Sequence, residues 1–508
     1  MTTARSSTPP LCVDLDGTLI ATDVLWESIA RLLKTRPLLL LLLPLWLLRG
    51  RAHLKAELAR RVSIDPRTLP YRDDVVEFVR RERRAGRHVV LATAADARVA
   101  RVIAEHLGIF AEVVASDGRA NLSGRAKRDA LERRFGAGQF DYLGDRRADL
   151  TVWRDARAAL TVTRDRTIRR RLEPDVPVAH QFVPGPSGLR ALPAALRVHQ
   201  WLKNLLVFAP VVLAHDLGDP LRAGRAALAF LAFSLLASGT YLLNDLLDLD
   251  ADRAHPRKRR RPLAAGTLPI PAALVLVPLL VLAAGALAVP LGARFSVALG
   301  GYLALTTAYS FALKRVPVLD VLVLALLYTV RVLAGGVAVG VIVSPWLLAL
   351  SLFLFQSLAV LKRHAELGLL DAGGDGRVAG RGYVRNDRPW LLTVGTACGY
   401  LAVLVLALYI TRQDVMAAYR RPDVLWAACV LLLFWITRLW FMAQRELIED
   451  DPIVVTLRDR GSWLIGAGIA ATLESSPSNA GPVEEGEARV APRVSRGAGE
   501  RGGHGGPR

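Results

Sequence analysis

Apolar and polar positions follow two rules along this chain, and the change falls near residue 190. Between residues 11 and 165, short apolar runs alternate with charged stretches of helical spacing. Leu11-Cys12-Val13-Asp14, His88-Val89-Val90-Leu91-Ala92-Thr93 and Phe140-Asp141-Tyr142-Leu143-Gly144 are such runs. Strands joined by helices predict an α/β, Rossmann-like domain around a parallel sheet. Inside it, the apolar run 38–48 is broken by Pro44. It is too short to cross about 30 Å of hydrocarbon, so a buried cap helix or a membrane-surface segment is expected. Residues 166–190 are rich in Arg and Pro and read as a linker.

Beyond the linker the apolar segments lengthen. They fall near 200–214, 226–243, 270–290, 295–313, 318–342, 345–361, 391–411, 423–443 and 454–472. The pattern predicts an all-α polytopic membrane bundle of about nine spans. From Glu474 to Arg508 the chain lacks apolar content for a core and is expected to be disordered. The expected boundaries are therefore 9–165, a linker at 166–190, a membrane domain at 191–472 and a tail at 474–508.

Composition agrees with a polytopic membrane protein that carries a water-exposed domain. Of 508 residues 52% are hydrophobic, yet the formal net charge is +20. Three scattered cysteines, Cys12, Cys398 and Cys429, give neither a disulfide framework nor a metal pair. Residues 1–10 hold no apolar core, which argues against a secretory signal. With the N-terminal domain placed in the cytoplasm, seventeen Lys and Arg fall in loops on that side and six on the other. That asymmetry predicts a multi-pass protein of the cell membrane with a cytoplasmic N-terminus. No nucleic-acid partner is expected, and a homo-oligomer is left open.

The N-terminal half carries candidate phosphotransfer chemistry. An apolar run ends in Asp14-Leu15-Asp16-Gly17-Thr18, which puts two carboxylates at a strand end, where open α/β folds bind ligands. One carboxylate can attack phosphorus while the other handles the leaving group's proton. Thr93 offers a hydroxyl, Lys127 a point charge, and Asp145 with Asp149 suit Mg²⁺. These elements in this order resemble the haloacid dehalogenase-like phosphatase superfamily over residues 9–165. The resemblance implies Asp14 as nucleophile, Asp16 as acid and base, catalytic Thr93 and Lys127, and a metal held by Asp14, Asp16 and Asp145. It also implies a cap between Asp16 and Thr93 that selects the substrate.

In the membrane half, the second span runs into Asn244-Asp245-Leu246-Leu247-Asp248-Leu249-Asp250-Ala251-Asp252. At about 100° per residue, Asp245, Asp248 and Asp252 share one helix face and Asp250 points elsewhere. Crowded carboxylates call for cations, and hard Mg²⁺ shared with a phosphorylated substrate is the natural one. The cationic loop from His255 to Gly266 follows, with Lys258 and Arg261 placed to meet diphosphate. This long motif resembles the UbiA superfamily of membrane prenyltransferases over residues 190–472. Gln200-Trp201-Leu202-Lys203-Asn204, Tyr309-Ser310 with Lys314, and Lys362-Arg363-His364-Ala365-Glu366-Leu367 resemble its decaprenyl-phosphate phosphoribosyltransferase branch.

That resemblance implies catalytic Asp245, Asp248 and Asp252 carrying Mg²⁺, with Glu366 as a second acidic ligand ahead of Asp371 and Asp375. It implies Asn244, Lys203, Lys258, Arg261, Lys314, Lys362 and Arg363 as substrate contacts, with phosphoribosyl diphosphate and a polyprenyl phosphate as substrates. Arg331 is read from the residues alone. A cation in the middle of a span must face a cavity or a partner, and a substrate phosphate is the expected one. Only seven lysines occur among 66 cations, and five of them fall in these motifs. Two other functions fit the same features: a prenyltransferase using a polyprenyl diphosphate, and a transporter with a regulatory phosphatase-like domain.

Overall fold

Strand β1 (Leu11–Val13) is wholly buried, and its two neighbours decide where the first site forms. The computed structural model describes residues 8–172, 174–185, 188–368, 381–418, 421–448, 455–456 and 459–474. β1 pairs in parallel with β2 (Val89–Asp96) on one side and with β4 (Asp141–Gly144) on the other. β3 (Glu112–Ser116), β5 (Ala158–Val162) and β6 (Val178–Phe182) complete a six-stranded sheet in the order β3-β2-β1-β4-β5-β6. Chain order reverses direction at β1, so the carboxyl ends of β1, β2 and β4 open side by side into one crevice.

The covering helices are amphipathic, as the spacing predicts. The helix Ala97–Leu107 buries Val99, Ala100, Ile103 and Ala104. Asp96 caps its start by accepting from the Arg98 N–H, and Gly108 ends it in the left-handed region.

The expectation of a linker at 166–190 is corrected here. Residues Arg166–Leu172 form a helix and Val178–Phe182 form β6, the outer parallel strand beside β5. Ile168, Leu172, Val176 and Phe182 are buried, so this segment extends the domain. The Arg and Pro content hid them, because an edge strand needs few apolar positions.

The run at 38–48 forms two short helical pieces, Pro37–Leu42 and Leu43–Leu48, between α1 (Val24–Thr35) and the cap helix Arg51–Arg61. Trp46 is buried while Leu38, Leu41, Leu45 and Leu48 are exposed, so the segment is not a buried helix.

The second half is helical. Among the described residues, six helices are long and apolar enough to cross a membrane: Pro220–Leu247, Ile270–Leu291, Leu319–Val339, Pro345–Gly368, Arg385–Ile410 and Leu425–Gln444. Val198–Leu213, Ala293–Phe311 and Arg460–Glu474 add three further apolar helical segments. The tail beyond Glu474 lies outside the described residues.

The two halves meet through charge. Glu27 on α1 is fully buried and ion-paired to Arg253 (2.7 Å) and Arg31 (2.7 Å). Arg31 also reaches Asp250 at 2.5 Å, and Thr68 donates to the same carboxylate at 3.0 Å. Burial opposes the charge on Glu27, but the arginines overcome it and hold the carboxyl below its ordinary value. Gly266, with φ of +72°, lies so close that a Cβ there would sit 2.6 Å from the Ala21 carbonyl oxygen. Only glycine fits that contact.

Candidate active sites

The N-terminal site is built by the strand ends. Asp14 follows β1, Thr93 lies in β2, and Asp145 follows β4. Lys127, on the helix Arg125–Phe135, places its Nζ 2.9 Å from Asp14 Oδ1. The backbone N–H of Leu15 donates to that same oxygen at 2.8 Å. Asp14, Asp145 and Asp149 offer carboxylate oxygens all within 4.8 Å of one another. Asp149 also accepts from the Tyr142 hydroxyl (3.0 Å) and from the N–H groups of Asp145 and Arg146 (3.2 and 3.1 Å). Thr93, fully buried, accepts from the Ala95 N–H at 3.0 Å.

Burial raises the pKa of Asp14 and lifts that of Asp145 to about 7. Asp16 is pushed well above its usual value, by burial first and then by the neighbouring Asp23 and Asp14. Burial opposes the charge on Lys127, yet Asp14 and Asp149 raise its pKa. Gly17 adopts φ of +77°, and a Cβ there would lie 2.1 Å from Asp145 Oδ2, so a side chain would occupy the crevice itself.

Asp16 differs from the expectation of a metal-holding side chain. Its Oδ1 accepts from the Val24 N–H at the start of α1 (2.8 Å), while Asp149 completes the trio with Asp14 and Asp145. The loop 17–23 turns back toward β1, and capping α1 takes up the second carboxylate. Lys55, absent from every motif, shares the cleft beneath the cap with Asp16, Ser28 and Leu25. Its Nζ donates to the Ala94 carbonyl (2.6 Å) and to Asn121 (2.9 Å). The scarcity of lysine was the signal that could have found it.

The second site is a cavity of about 350 Å³ within the helical half. Arg197, Lys203, Arg261, Arg331, Lys362, Arg363 and Arg381 line it with Asn244, Tyr302, Tyr328 and Leu358, and no carboxylate appears among its described lining residues. Arg331 is buried. It donates to Asn204 (2.8 Å), the Tyr302 hydroxyl (2.7 Å) and the Leu327 carbonyl (2.6 Å), with its guanidinium over the rings of Tyr302 and Tyr328. Its described partners are neutral, so its positive charge stays uncompensated there.

The acidic motif sits at the edge of this cavity, differently from the expectation. Helix Pro220–Leu247 ends at Asp248, and Leu249–Ala254 begins a new helix. The break removes the single shared face. Asp245 and Asp252 are buried and bridged by Arg261, at 3.2 and 2.6 Å, and Asp245 also meets Arg197. Asp248 turns away to Lys314 (3.1 Å), and Asp250 faces the N-terminal domain, as its helix position predicts.

Lys258 is exposed and, like Lys314, outside the cavity lining, so neither stands where a substrate contact was expected. Glu366 pairs with Arg363 (2.6 Å), which also holds the fully buried Asp320 (2.5 Å). Its carboxylate is thus held in an arginine network, as those of Asp245 and Asp252 are. Asp371 and Asp375 lie outside the described residues. Arg197 went unread because its signal was masked by the supposed linker just before it.

Comparison with known proteins agrees with this division. Residues 205–452 match the UbiA prenyltransferase family, and residues 11–154 match the haloacid dehalogenase-like hydrolases. The chain belongs to the UbiA prenyltransferase family and is an integral membrane enzyme with a haloacid dehalogenase-like domain at its N-terminal end.

Decaprenyl-phosphate phosphoribosyltransferase of Mycolicibacterium smegmatis is 33% identical over 274 residues, which is 52% of this chain and 86% of that protein. Nodulation protein NoeC of Azorhizobium caulinodans is 36% identical over 279 residues, 55% of this chain and 91% of the relative. An uncharacterised protein of Sinorhizobium fredii, y4nM, matches across both halves: 39% over 466 residues, 91% of this chain and 90% of the relative. A solved UbiA homolog from Archaeoglobus fulgidus, bound to GPP and Mg²⁺, aligns with a TM-score of 0.43 at 19% identity, over 56% of this chain and 99% of that one.

Proposed function

We propose that the chain transfers phosphoribose from phosphoribosyl diphosphate to a polyprenyl phosphate, and that its N-terminal domain then removes the 5-phosphate from the lipid-linked product. The carrying observation is the cavity of seven cationic side chains and no described carboxylate, edged by two buried aspartates. Such a cavity favours a highly anionic ligand, and its apolar members Leu324, Leu327 and Leu358 suit the start of a lipid chain.

In the transfer, an oxygen of the polyprenyl phosphate bonds to C1 of the sugar as the C1–O bond to diphosphate breaks, and positive charge develops at C1 on the way. Lys203, Arg331 and Lys362 would stabilise the departing charge, the largest expected contribution to the rate. Asp245 and Asp252 would hold Mg²⁺, which supplies further neutralisation of diphosphate. Their arginine partners would then turn to the phosphates. Asp248 is assigned a supporting role through Lys314.

In the phosphatase, Lys127 and the Leu15 N–H both engage Asp14 Oδ1, so Oδ2 would be the attacking atom. Attack forms an aspartyl phosphate and expels the sugar alkoxide. Asp16, with its raised pKa, would protonate that alkoxide and later draw a proton from the water that attacks phosphorus, which breaks the bond to Asp14 and releases inorganic phosphate. Asp14, Asp145 and Asp149 fit Mg²⁺, being hard oxygen donors at ion-sharing separation. Lys127 and Thr93 would meet the phosphoryl oxygens.

Docking of α1 on the helix Leu249–Ala254 supports a cytoplasmic N-terminal domain, on the side of the cationic loops. Under this reading the second reaction would run on the same membrane surface as the first, which would raise the local concentration of its substrate. An assay with labelled phosphoribosyl diphosphate and polyprenyl phosphate tests the proposal. Lipid-linked ribose without its 5-phosphate is expected from the wild type, and the 5-phosphorylated form from Asp14→Asn. A product that keeps its 5-phosphate in both would remove the coupling.

A further inference from the structure

The cap of the N-terminal domain has two faces. Its inner face is made by α1 and Arg51–Arg61, whose Leu25, Ser28 and Lys55 line the cleft above Asp16. Its outer edge is Pro37–Leu48, where Leu38, Leu41 and Leu48 are 80%, 78% and 85% exposed and Leu45 and Leu47 are half exposed. A contiguous apolar patch of this kind on a water-facing domain marks an interaction surface.

The rest of the segment shows what that surface meets. Leu39, Leu40 and Leu43 turn inward, where Trp46 packs with Ile29, Leu32 and Leu54. Leu274 joins the same cluster, and it lies one turn into the membrane helix Ile270–Ala288. That helix presents Val275, Leu279 and Leu282 outward, at 65%, 57% and 71% exposure. The apolar edge of the cap is therefore continuous with the lipid-facing side of a span, at the depth of its first turn. Exposed Lys34, Arg36, Arg49 and Arg51 flank the segment at both ends, as suits anionic headgroups. Its length excludes a crossing.

We propose that Pro37–Leu48 is a monotopic membrane anchor whose outer leucines lie in the boundary between headgroups and acyl chains. The occupant of the patch is the bilayer that surrounds the helical half. The anchor holds the cleft of the cap against the membrane surface and so presents it to phosphate esters borne by lipids.

The test reads position, and so needs neither proposed activity. In the full chain carrying Cys398→Ala and Cys429→Ala, with Cys12 buried in the sheet, a single fluorescent label goes on Leu41→Cys or Leu48→Cys. Comparison labels go on Leu282→Cys in the span and Arg133→Cys on the exposed side of the N-terminal domain. After reconstitution in vesicles of phosphatidylcholine and phosphatidylglycerol, the labels at 41 and 48 should follow the one at 282. They should shift to the blue and be quenched by brominated acyl chains but not by iodide. Labels at 41 and 48 that iodide quenches like the label at 133 would overturn the anchor. So would labels shielded from both quenchers, the result expected if a second protein copy covers the patch. Two positions are used so that one misfolded variant does not decide the result.

Discussion

At the sheet edge, Asp14, Asp145 and Asp149 stand within 4.8 Å of one another, with Lys127 2.9 Å from Asp14 and 3.9 Å from Asp149. At the membrane cavity, Asp245 and Asp252 are bridged by Arg261, and Asp248 has turned to Lys314. The first arrangement keeps carboxylates together, and burial, with their mutual repulsion added, raises the pKa of Asp14 and Asp145. The second pairs its acids with arginine and lysine, Asp245 and Asp252 sharing Arg261. Parallel strands aim their carboxyl ends at one crevice, so the backbone itself enforces crowding. A helix broken at Asp248 enforces nothing comparable, and the carboxylates relax onto the nearest arginines. One site is thus built with its acids together, whereas in the proposed reaction the other would reorder its charges when diphosphate binds.

Variants sharpen that contrast. Asp14→Asn should lower phosphate release by on the order of 10⁴-fold while leaving transfer unchanged, measured as 5-phosphorylated product accumulating. Arg253→Ala leaves the fully buried Glu27 with an unmatched share of charge. It should cost about 3–5 kcal/mol at the junction of the halves, read by chemical denaturation, and pairing it with Glu27→Gln should recover part of the loss. Asp245→Asn should slow transfer by about 10²–10³-fold with phosphatase turnover intact, if the two sites are as separate as their geometry. Equal loss of both activities would show instead that the sites act as one.

Smaller effects follow. Arg331→Ala should weaken diphosphate binding by about 10- to 100-fold, with Arg331→Lys keeping part of it, measured as KM for the donor. The pH dependence of stability separates the sites further. An acid raised to about 7 binds its proton in the folded state at a pH where the unfolded chain has released it. Stability therefore falls as pH rises from an ordinary carboxylate value, about 3.9, toward 7. Burial of Asp14 and Asp16 works in the same direction. Without divalent cations, the N-terminal domain's melting temperature should be lower at about pH 8 than at about pH 5.5, and Mg²⁺ should raise it more at the higher pH. No such difference would mean that the trio does not hold an ion.

Much of this was legible in the residues. Chemical groups that must recur at fixed spacing, such as Asp14 with Asp16 or Asn244 with Asp245, announce themselves in one dimension. Hydrophobic length marks the spans, because about 30 Å of hydrocarbon leaves little choice. Arg331 was found as a charge where none belongs, and it does line the cavity among neutral partners.

What the sequence left open depends on contacts between distant segments. The strand at Val178–Phe182 exists because β5 offers an edge to pair with, a fact of neighbours and not of its own letters. Lys55 enters the cleft because the cap folds over Asp16. Asp250, one acid among several in its motif, is claimed by Arg31 of another domain. Residue types and their spacing set which reactions this chain can attempt. Which carboxylates stand together, which meets an arginine and which joins the two halves was decided by tertiary structure. The reason is that charges pair through space, at distances along the chain that no local pattern encodes.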